Sequence, residues 1–302
     1  MTDLKIGMIG LDTSHAPAFT ELLHDPGHRY HIRGGRVTYG YSGGSPDFPL
    51  SISRVEGYTA QLQSSFGVKI VDTPEEVAEN CDAILLEAAD GRVHLDLFKR
   101  IAPYRKPVFI DKPLSLTMED AEEIERIAAS YGIPVFSSSA LRYAESLQLG
   151  LQQGEGGRVF GADVYGPMDV QSTQRHYFWY GIHSVEMLVT IMGRGCEEVF
   201  AFSSEEHELI TCRWNDGRIG TVRGNRCGNY GFGATIHRES GDHLIDIGSS
   251  KKPFYASLLE QVMNMFTTGI APLEFSETME VIRILDAAEQ SRQQRAPVHM
   301  SK

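Results

Sequence analysis

Pro107-Val108-Phe109-Ile110-Asp111-Lys112-Pro113 is the stretch whose reading decides the fold. The first four residues read as a short buried strand, and the acid, lysine and proline end it. Proline lacks an N–H, fixes its own φ and presses the residue before it toward extended backbone. Lys112 is therefore predicted at the carboxyl end of a core strand, where open α/β sheets hold their ligands. Working backward, Ala83-Ile84-Leu85-Leu86 is a second such run, ending at Glu87-Ala88-Ala89-Asp90 and followed by a helix through Leu95, Leu97 and Phe98. Lys69-Ile70-Val71 precedes it, and between the two lies Thr73-Pro74-Glu75-Glu76: a capping hydroxyl, a proline at the first helical position and acids that match the helix dipole. Arg36 to Tyr41 and Lys5 to Ile9 are the earlier strands, with a helix from Ser53 to Phe66. Working forward, Met118, Ala121, Ile124, Ile127 and Ala128 form a helix stripe that stops at Gly132, before the strand Pro134-Val135-Phe136. Strands and helices alternating at these lengths predict a doubly wound parallel sheet in a first domain, residues 1–137.

The loop after the first strand runs Gly10-Leu11-Asp12-Thr13-Ser14-His15, the strand–turn–helix opening of a dinucleotide-binding unit. Its glycine pattern is incomplete: Asp12 and His15 stand where the second and third glycines of a G-x-G-x-x-G run fall. Asp12 is expected either to face the pyrophosphate with its charge or to cap the helix, so that dinucleotide binding is weak and Asp12→Gly strengthens it. After the second strand comes Ser42-Gly43-Gly44-Ser45, without the acid that usually takes the ribose hydroxyls, so NADP is not disfavoured against NAD. Arg54 is a candidate for a 2′-phosphate, opposed by Asp47. His24, His28 and His31 read as a polar connection, and no metal ligand set is assigned.

The pattern changes after Ala140. Val159 to Tyr165 is a candidate strand, and Tyr177 to Tyr180 is an aromatic run. Gly181-Ile182-His183-Ser184-Val185-Glu186 opens a helix that ends at Gly193. Glu208 to Trp214 and Arg218 to Arg223 flank Asn215-Asp216-Gly217, a hairpin signal. Further strand-like stretches and two closing helices, Phe254 to Phe266 and Glu277 to Gln290, predict an α+β domain over residues 138–302 with a mostly antiparallel sheet.

At 302 residues the chain has length for two cores, and its net charge of −12 argues against nucleic acid and anionic membrane as partners. Four scattered cysteines without a CxxC pair read as reduced thiols. The opening residues show no basic and apolar leader pattern, and no apolar run reaches the ~20 residues a bilayer span needs. A cytoplasmic protein is expected.

Taken together, the chain resembles the glucose–fructose oxidoreductase / inositol dehydrogenase / rhizopine catabolism family (Gfo/Idh/MocA) over nearly its whole length. Asp111-Lys112-Pro113 stands for the family's Glu-Lys-Pro, and Gly181-Ile182-His183 with Glu186 stands for its Gly-x-His-x-x-Asp. The resemblance implies a Rossmann domain followed by the α+β domain, and a homodimer or larger assembly. It implies an NAD- or NADP-dependent oxidoreductase acting on a sugar, cyclitol or related small carbohydrate-like polyol. Lys112 would polarise the substrate oxygen and His183 would act as general acid/base, a role histidine suits because it titrates near neutrality. Trp179, Tyr180, Glu186 and Arg142 are candidates for the substrate pocket. Gly10, Asp12, Thr13, Ser14, His15, Ser42 and His94 are candidates for the cofactor. Trp179 stands where the family has a catalytic aspartate, so Asp163 or Asp169 would have to supply a carboxylate. Two other readings stay open: a non-redox carbohydrate lyase or hydrolase using His183, Lys112 and a metal near Asp12 and His15, and a catalytically silent binding or regulatory homologue.

Overall fold

The computed structural model describes residues 3–152 and 157–300. These form two units. One comprises Met1–Ser115, Glu119–Ser138 and Tyr255–Phe275, and the other Leu116–Met118, Ser139–Phe254 and Ser276–Lys302.

The first unit alternates β1 (Leu4–Ile9), α1 (His15–His24), β2 (Gly35–Tyr41), α2 (Pro49–Phe66), β3 (Lys69–Val71), α3 (Pro74–Asn80), β4 (Ala83–Leu86), α4 (His94–Ile101), β5 (Val108–Ile110), α5 (Met118–Tyr131) and β6 (Val135–Phe136). Its six strands are parallel throughout, as the alternating pattern predicts, and lie in the order β3-β2-β1-β4-β5-β6. All four residues of β4 are buried, as expected for an apolar run covered on both faces. Thr73 and Glu76 close a reciprocal capping box on α3, with Pro74 in its first turn. The chain builds outward from β1 to β2 and β3, then crosses to β4, so the order reverses between β1 and β4. Ligands of open sheets bind at the carboxyl ends of the strands beside such a reversal. α2 starts at Pro49 rather than Ser53, because Phe48 is extended and the proline pre-sets the first turn.

The second unit holds α6 (Glu145–Gln152), β7 (Val159–Pro167), α7 (Gly181–Met192), β8 (Cys196–Ser203), β9 (His207–Trp214), β10 (Ile219–Asn225), β11 (Gly233–Arg238) and β12 (Gly241–Asp246). After these come α8 (Phe254–Thr268), α9 (Phe275–Gln294) and β13 (Val298–His299). The sheet order is β12-β11-β7-β10-β9-β8-β13. Among the described residues only its β7–β10 pair is parallel. α7 covers one face: a Cβ on Gly220 would lie 2.7 Å from Leu188 Cδ1. The register places Tyr165, Phe202, Ile219 and Leu244 on the other face, where Phe202 is 56% and Leu244 84% exposed. α8 follows this sheet in sequence, yet its residues from Tyr255 onward pack with the first unit. Among the described residues no helix is long and apolar enough to cross a membrane.

Candidate active site

Gly10 ends β1 with φ +87°, and a Cβ there would lie 2.4 Å from the Ala88 nitrogen, so only glycine lets the ends of β1 and β4 approach. Its N–H donates to the Tyr41 carbonyl, and the Leu11 N–H donates to that of Ser42, which ties the loop to the end of β2. Asp12 turns inward. Its Oδ1 accepts from the Ala89 N–H at 2.9 Å and its Oδ2 from the Ser51 hydroxyl at 2.5 Å. Ser51 Oγ in turn accepts the Ser45 N–H. One carboxylate therefore joins the loops after β1, β2 and β4 to the first turn of α2. Burial raises the Asp12 pKa, against the pull of its two hydrogen bonds.

This corrects the expectation that Asp12 faces a pyrophosphate or caps α1. Asp12→Gly should strand a buried N–H and hydroxyl and lower unfolding free energy by about 2–4 kcal/mol, with no gain in nucleotide affinity. Asp12→Asn can keep the Ala89 bond through Oδ1 and remake the Ser51 bond with its amide nitrogen as the donor, and should lose much less. Urea denaturation compares the three proteins, and an Asp12→Gly variant as stable as wild type would contradict the inward-facing geometry.

The first turn of α1 leaves Ser14 exposed and buries His15. His15 Nδ1 lies 2.8 Å from Asp111 Oδ2 and 3.5 Å from Glu87 Oε2. The ring stacks on Phe19 at 5.3 Å between centroids and meets the Tyr255 ring edge-on at 4.6 Å. Thus the ends of β1, β4 and β5 converge on three buried ionisable groups. Burial would push the imidazole pKa down, but the Asp111 and Glu87 carboxylates hold it well above the usual value. Burial and the Asp111 charge push Glu87 up to about 7. For Asp111 burial works upward, and His15 and Lys112 bring the carboxyl below its ordinary range. Glu87 and Tyr255 were not foreseen as site residues, and neither was the use of Asp111.

Lys112 follows Asp111 across β5's end, half-buried, with a cis peptide bond to Pro113. Its own N–H donates to Asp111 Oδ1 at 2.7 Å. Burial lowers the ammonium's pKa; the Asp111 carboxylate opposes this and Arg54 reinforces it. Arg54 thus acts on Lys112, and Asp47 is held not by Arg54 but by both terminal nitrogens of Arg92, each at 2.8 Å. His94 is fully buried, with Nδ1 at 2.9 Å from the Pro113 carbonyl and Nε2 at 2.7 Å from that of Ala88. Both ring nitrogens meet backbone, so His94 clamps the loops after β4 and β5 and has no nitrogen left for a cofactor. At the end of β2, Ser42 Oγ accepts from the Thr59 hydroxyl, and an open pocket beside it is lined by Ser42, Ile52, Val55, Glu56, Thr59 and Gln63. Glu56, from α2, brings to this place the carboxylate that is absent after β2 in sequence.

The second unit carries its own cluster. His183, half-buried in the first turn of α7, has Nδ1 at 2.7 Å from Ser139 Oγ, which also accepts the Leu141 N–H. The Tyr180 ring meets the imidazole edge-on at 5.2 Å. Arg142 and Glu186 form a buried ion pair, and Arg142 Nη1 reaches Glu277 Oε2 at 2.9 Å. These two candidate substrate contacts are therefore committed to each other. Trp179 is buried beside the core residues Tyr177 and Phe178. Asp163 projects from the face of the sheet away from α7, bonded to Thr221 and His237, which removes it as a stand-in for the carboxylate that Trp179 lacks. Ser139 was not foreseen; its only sequence signal is its place just before Ala140, where the helix–strand pattern changes.

The β1–α1 loop suits a dinucleotide. The Asp12 charge is turned away, and Ser14, the N-cap of α1, stands exposed at the positive end of the helix dipole. Residues 4–138 match the family model GFO_IDH_MocA, described as an oxidoreductase family with an NAD-binding Rossmann fold. Among curated proteins, a myo-inositol 2-dehydrogenase of Thermotoga maritima is 23% identical over 232 residues; the match spans 68% of this chain and 66% of that one, just under two thirds of its length. Among solved structures, myo-inositol 2-dehydrogenase from Lactobacillus plantarum aligns with a TM-score of 0.82 at 15% identity, covering 99% of this chain and 100% of that one. The scyllo-inositol dehydrogenase of Lactobacillus casei with bound NAD(H) and scyllo-inositol gives 0.80 at 13% identity, covering 99% of each. At these identities the structural likeness speaks for the fold.

Proposed function

We propose that this chain, whose residues 4–138 match the Gfo/Idh/MocA family model of NAD-binding oxidoreductases, belongs to that family and is an NAD-dependent dehydrogenase acting on a CH–OH group of a cyclitol, sugar or related polyol. The observation that carries the reading is Asp111-Lys112-Pro113 at the end of β5, one strand beyond the β1/β4 reversal, with a half-buried lysine. Bound nicotinamide supplies the hydride acceptor or donor. The chain's own residues handle the oxygen and the proton: the Lys112 ammonium hydrogen-bonds the reacting oxygen and stabilises its negative charge. His183 takes the hydroxyl proton, with Ser139 fixing the ring through Nδ1. The inositol dehydrogenases named above support the cyclitol end of the substrate range.

Glu56 decides the cofactor. A carboxylate in the pocket at the end of β2 accepts ribose hydroxyls and repels a 2′-phosphate. NAD is therefore the expected cofactor, in place of the indifference to NADP read from the sequence. Calorimetric titration with NAD, NADH, NADP and NADPH should show NAD binding at least about tenfold tighter than NADP, ~1.4 kcal/mol, and Glu56→Gln should narrow the ratio. Failure of all four nucleotides to bind would sink the dehydrogenase reading. Unchanged selectivity in the variant would sink only the role of Glu56.

Self-association through the open face of the seven-stranded sheet belongs to the same proposal, because that face exposes the large apolar side chains of Tyr165, Phe202, Ile219 and Leu244. Sedimentation equilibrium should give a mass of at least two chains, and the double variant Phe202→Asp, Leu244→Asp should shift it to one. A wild-type mass of one chain at micromolar concentration would count against the assembly.

A further inference from the structure

We propose that His15, Glu87 and Asp111 form a binding site for one divalent transition-metal cation, a function separate from nucleotide binding. The three residues come from the first turn of α1 and from just beyond β4 and β5, at the carboxyl edge of the parallel sheet. Their ligand atoms, one imidazole nitrogen and two carboxylate oxygens, all lie within 4.8 Å of one another. Atoms held about 2.1 Å from one ion stand about 3.0 Å apart at right angles and about 3.4 Å apart in a tetrahedron. The observed separations of 2.8 Å and 3.5 Å from His15 Nδ1 bracket those values. No large movement is needed to seat an ion.

Three acidic or basic side chains near one another do not make a site, and Glu87 supplies the further reason. It is fully buried, and neither of its carboxylate oxygens has a hydrogen-bond partner among the described residues. His15 Nδ1 is likewise buried without a hydrogen bond of acceptable geometry, despite its closeness to Asp111. A buried carboxylate without donors is costly, and cation coordination is one of the few arrangements that offsets the cost. The surroundings fit this role. The Lys112 N–H takes Asp111 Oδ1, which leaves Oδ2 facing the imidazole, the kind of outer contact that orients a ligand. Phe19 and Tyr255 wall the histidine ring with aromatic surface. A mixed set of one imidazole and two carboxylates, without thiolate, suits Zn²⁺, Mn²⁺ or Fe²⁺ better than Mg²⁺ or Ca²⁺, which prefer oxygen alone, or soft Cu⁺. The neighbouring Lys112 ammonium competes for the same two carboxylates and keeps the affinity moderate.

The test uses the full chain, stripped with chelator and free of nucleotide, so its outcome is independent of the dehydrogenase reading. Equilibrium dialysis with Mn²⁺ alone, and separately with Zn²⁺ alone, should give saturable binding of one ion per chain. Pulsed electron paramagnetic resonance of the Mn²⁺ form should show coupling to a single imidazole nitrogen. Glu87→Gln and Asp111→Asn should each weaken binding by about 100-fold, with near-ultraviolet circular dichroism used to establish that each variant is folded. Absence of saturable binding to the wild type overturns the proposal. So does bound Mn²⁺ without nitrogen coupling, a readout that stands even if both variants fail to fold. Wild-type affinity in a folded Glu87→Gln protein overturns it equally.

Discussion

His183→Ala should lower kcat by about 10²–10⁴, the range for a lost general acid/base, while leaving the protein folded. The imidazole sits in the first turn of α7, half-exposed, with Nδ1 on Ser139 and the Tyr180 and Phe232 rings edge-on to it. Because the side chain is only half-buried, its removal leaves no closed cavity in the core. In the oxidative direction the ring must be neutral to take the hydroxyl proton, so wild-type activity should rise with pH along an acidic limb. The variant should lose that limb. Ser139→Ala should give a smaller loss, with the limb retained but displaced, because the ring keeps its chemistry and loses its orientation. A pH–rate profile measured with NAD and the best substrate from a cyclitol and sugar panel checks both. A His183→Ala protein with the wild-type limb would place the base elsewhere, with half-buried Asp169 the first residue to examine.

Lys112→Met should lower kcat/KM by about 10²–10³, the usual consequence of losing one donor to a developing oxyanion. NAD affinity should stay within about tenfold, or ~1.4 kcal/mol. Methionine keeps most of the side chain's apolar length, and the backbone N–H that holds Asp111 Oδ1 is untouched. The substitution thus removes the ammonium while sparing the loop. Stability should not fall, since burial already disfavours the charged form of this lysine. Steady-state kinetics together with a nucleotide titration separates the two effects. Wild-type kcat/KM in the variant would end the assignment of Lys112 to chemistry; a large loss of NAD affinity with normal kcat would move it to cofactor binding.

Short apolar runs were enough to find the strands of the first sheet and its parallel class, because parallel strands buried on both faces, such as β4, carry little else. The hairpin at Asn215-Asp216-Gly217 and the cap at Thr73 were equally legible, since turn and cap chemistry is local. Contacts set by distant residues were not. Whether Asp12 faces a phosphate or the interior depends on Ser51 and Ala89, which meet it only after the sheet has formed. Glu87 looked like part of a polar turn because its neighbours, His15 and Asp111, sit on other strand ends. Arg142 and Glu186 each resembled a substrate contact until the fold paired them. β8 escaped notice because Glu197 and Glu198 interrupt its opening, and α2's true start was hidden in a Phe-Pro step that reads as loop.

The return of α8 to the first unit bears on how this chain matures as it leaves the ribosome. Tyr255 completes the wall around His15, and Met263 lies against Gly35 beside Ile6, so the six-stranded unit is finished only by residues that follow the whole second sheet. A nascent chain that has emerged as far as residue 137 holds every strand of that sheet but must wait for more than a hundred further residues before its surface closes. Domains generally fold as units during synthesis; here the first to appear is the last to be sealed. Expressing residues 1–137 alone would therefore yield a sheet with one flank open to solvent, and a second polypeptide carrying 255–275 is the natural patch for it.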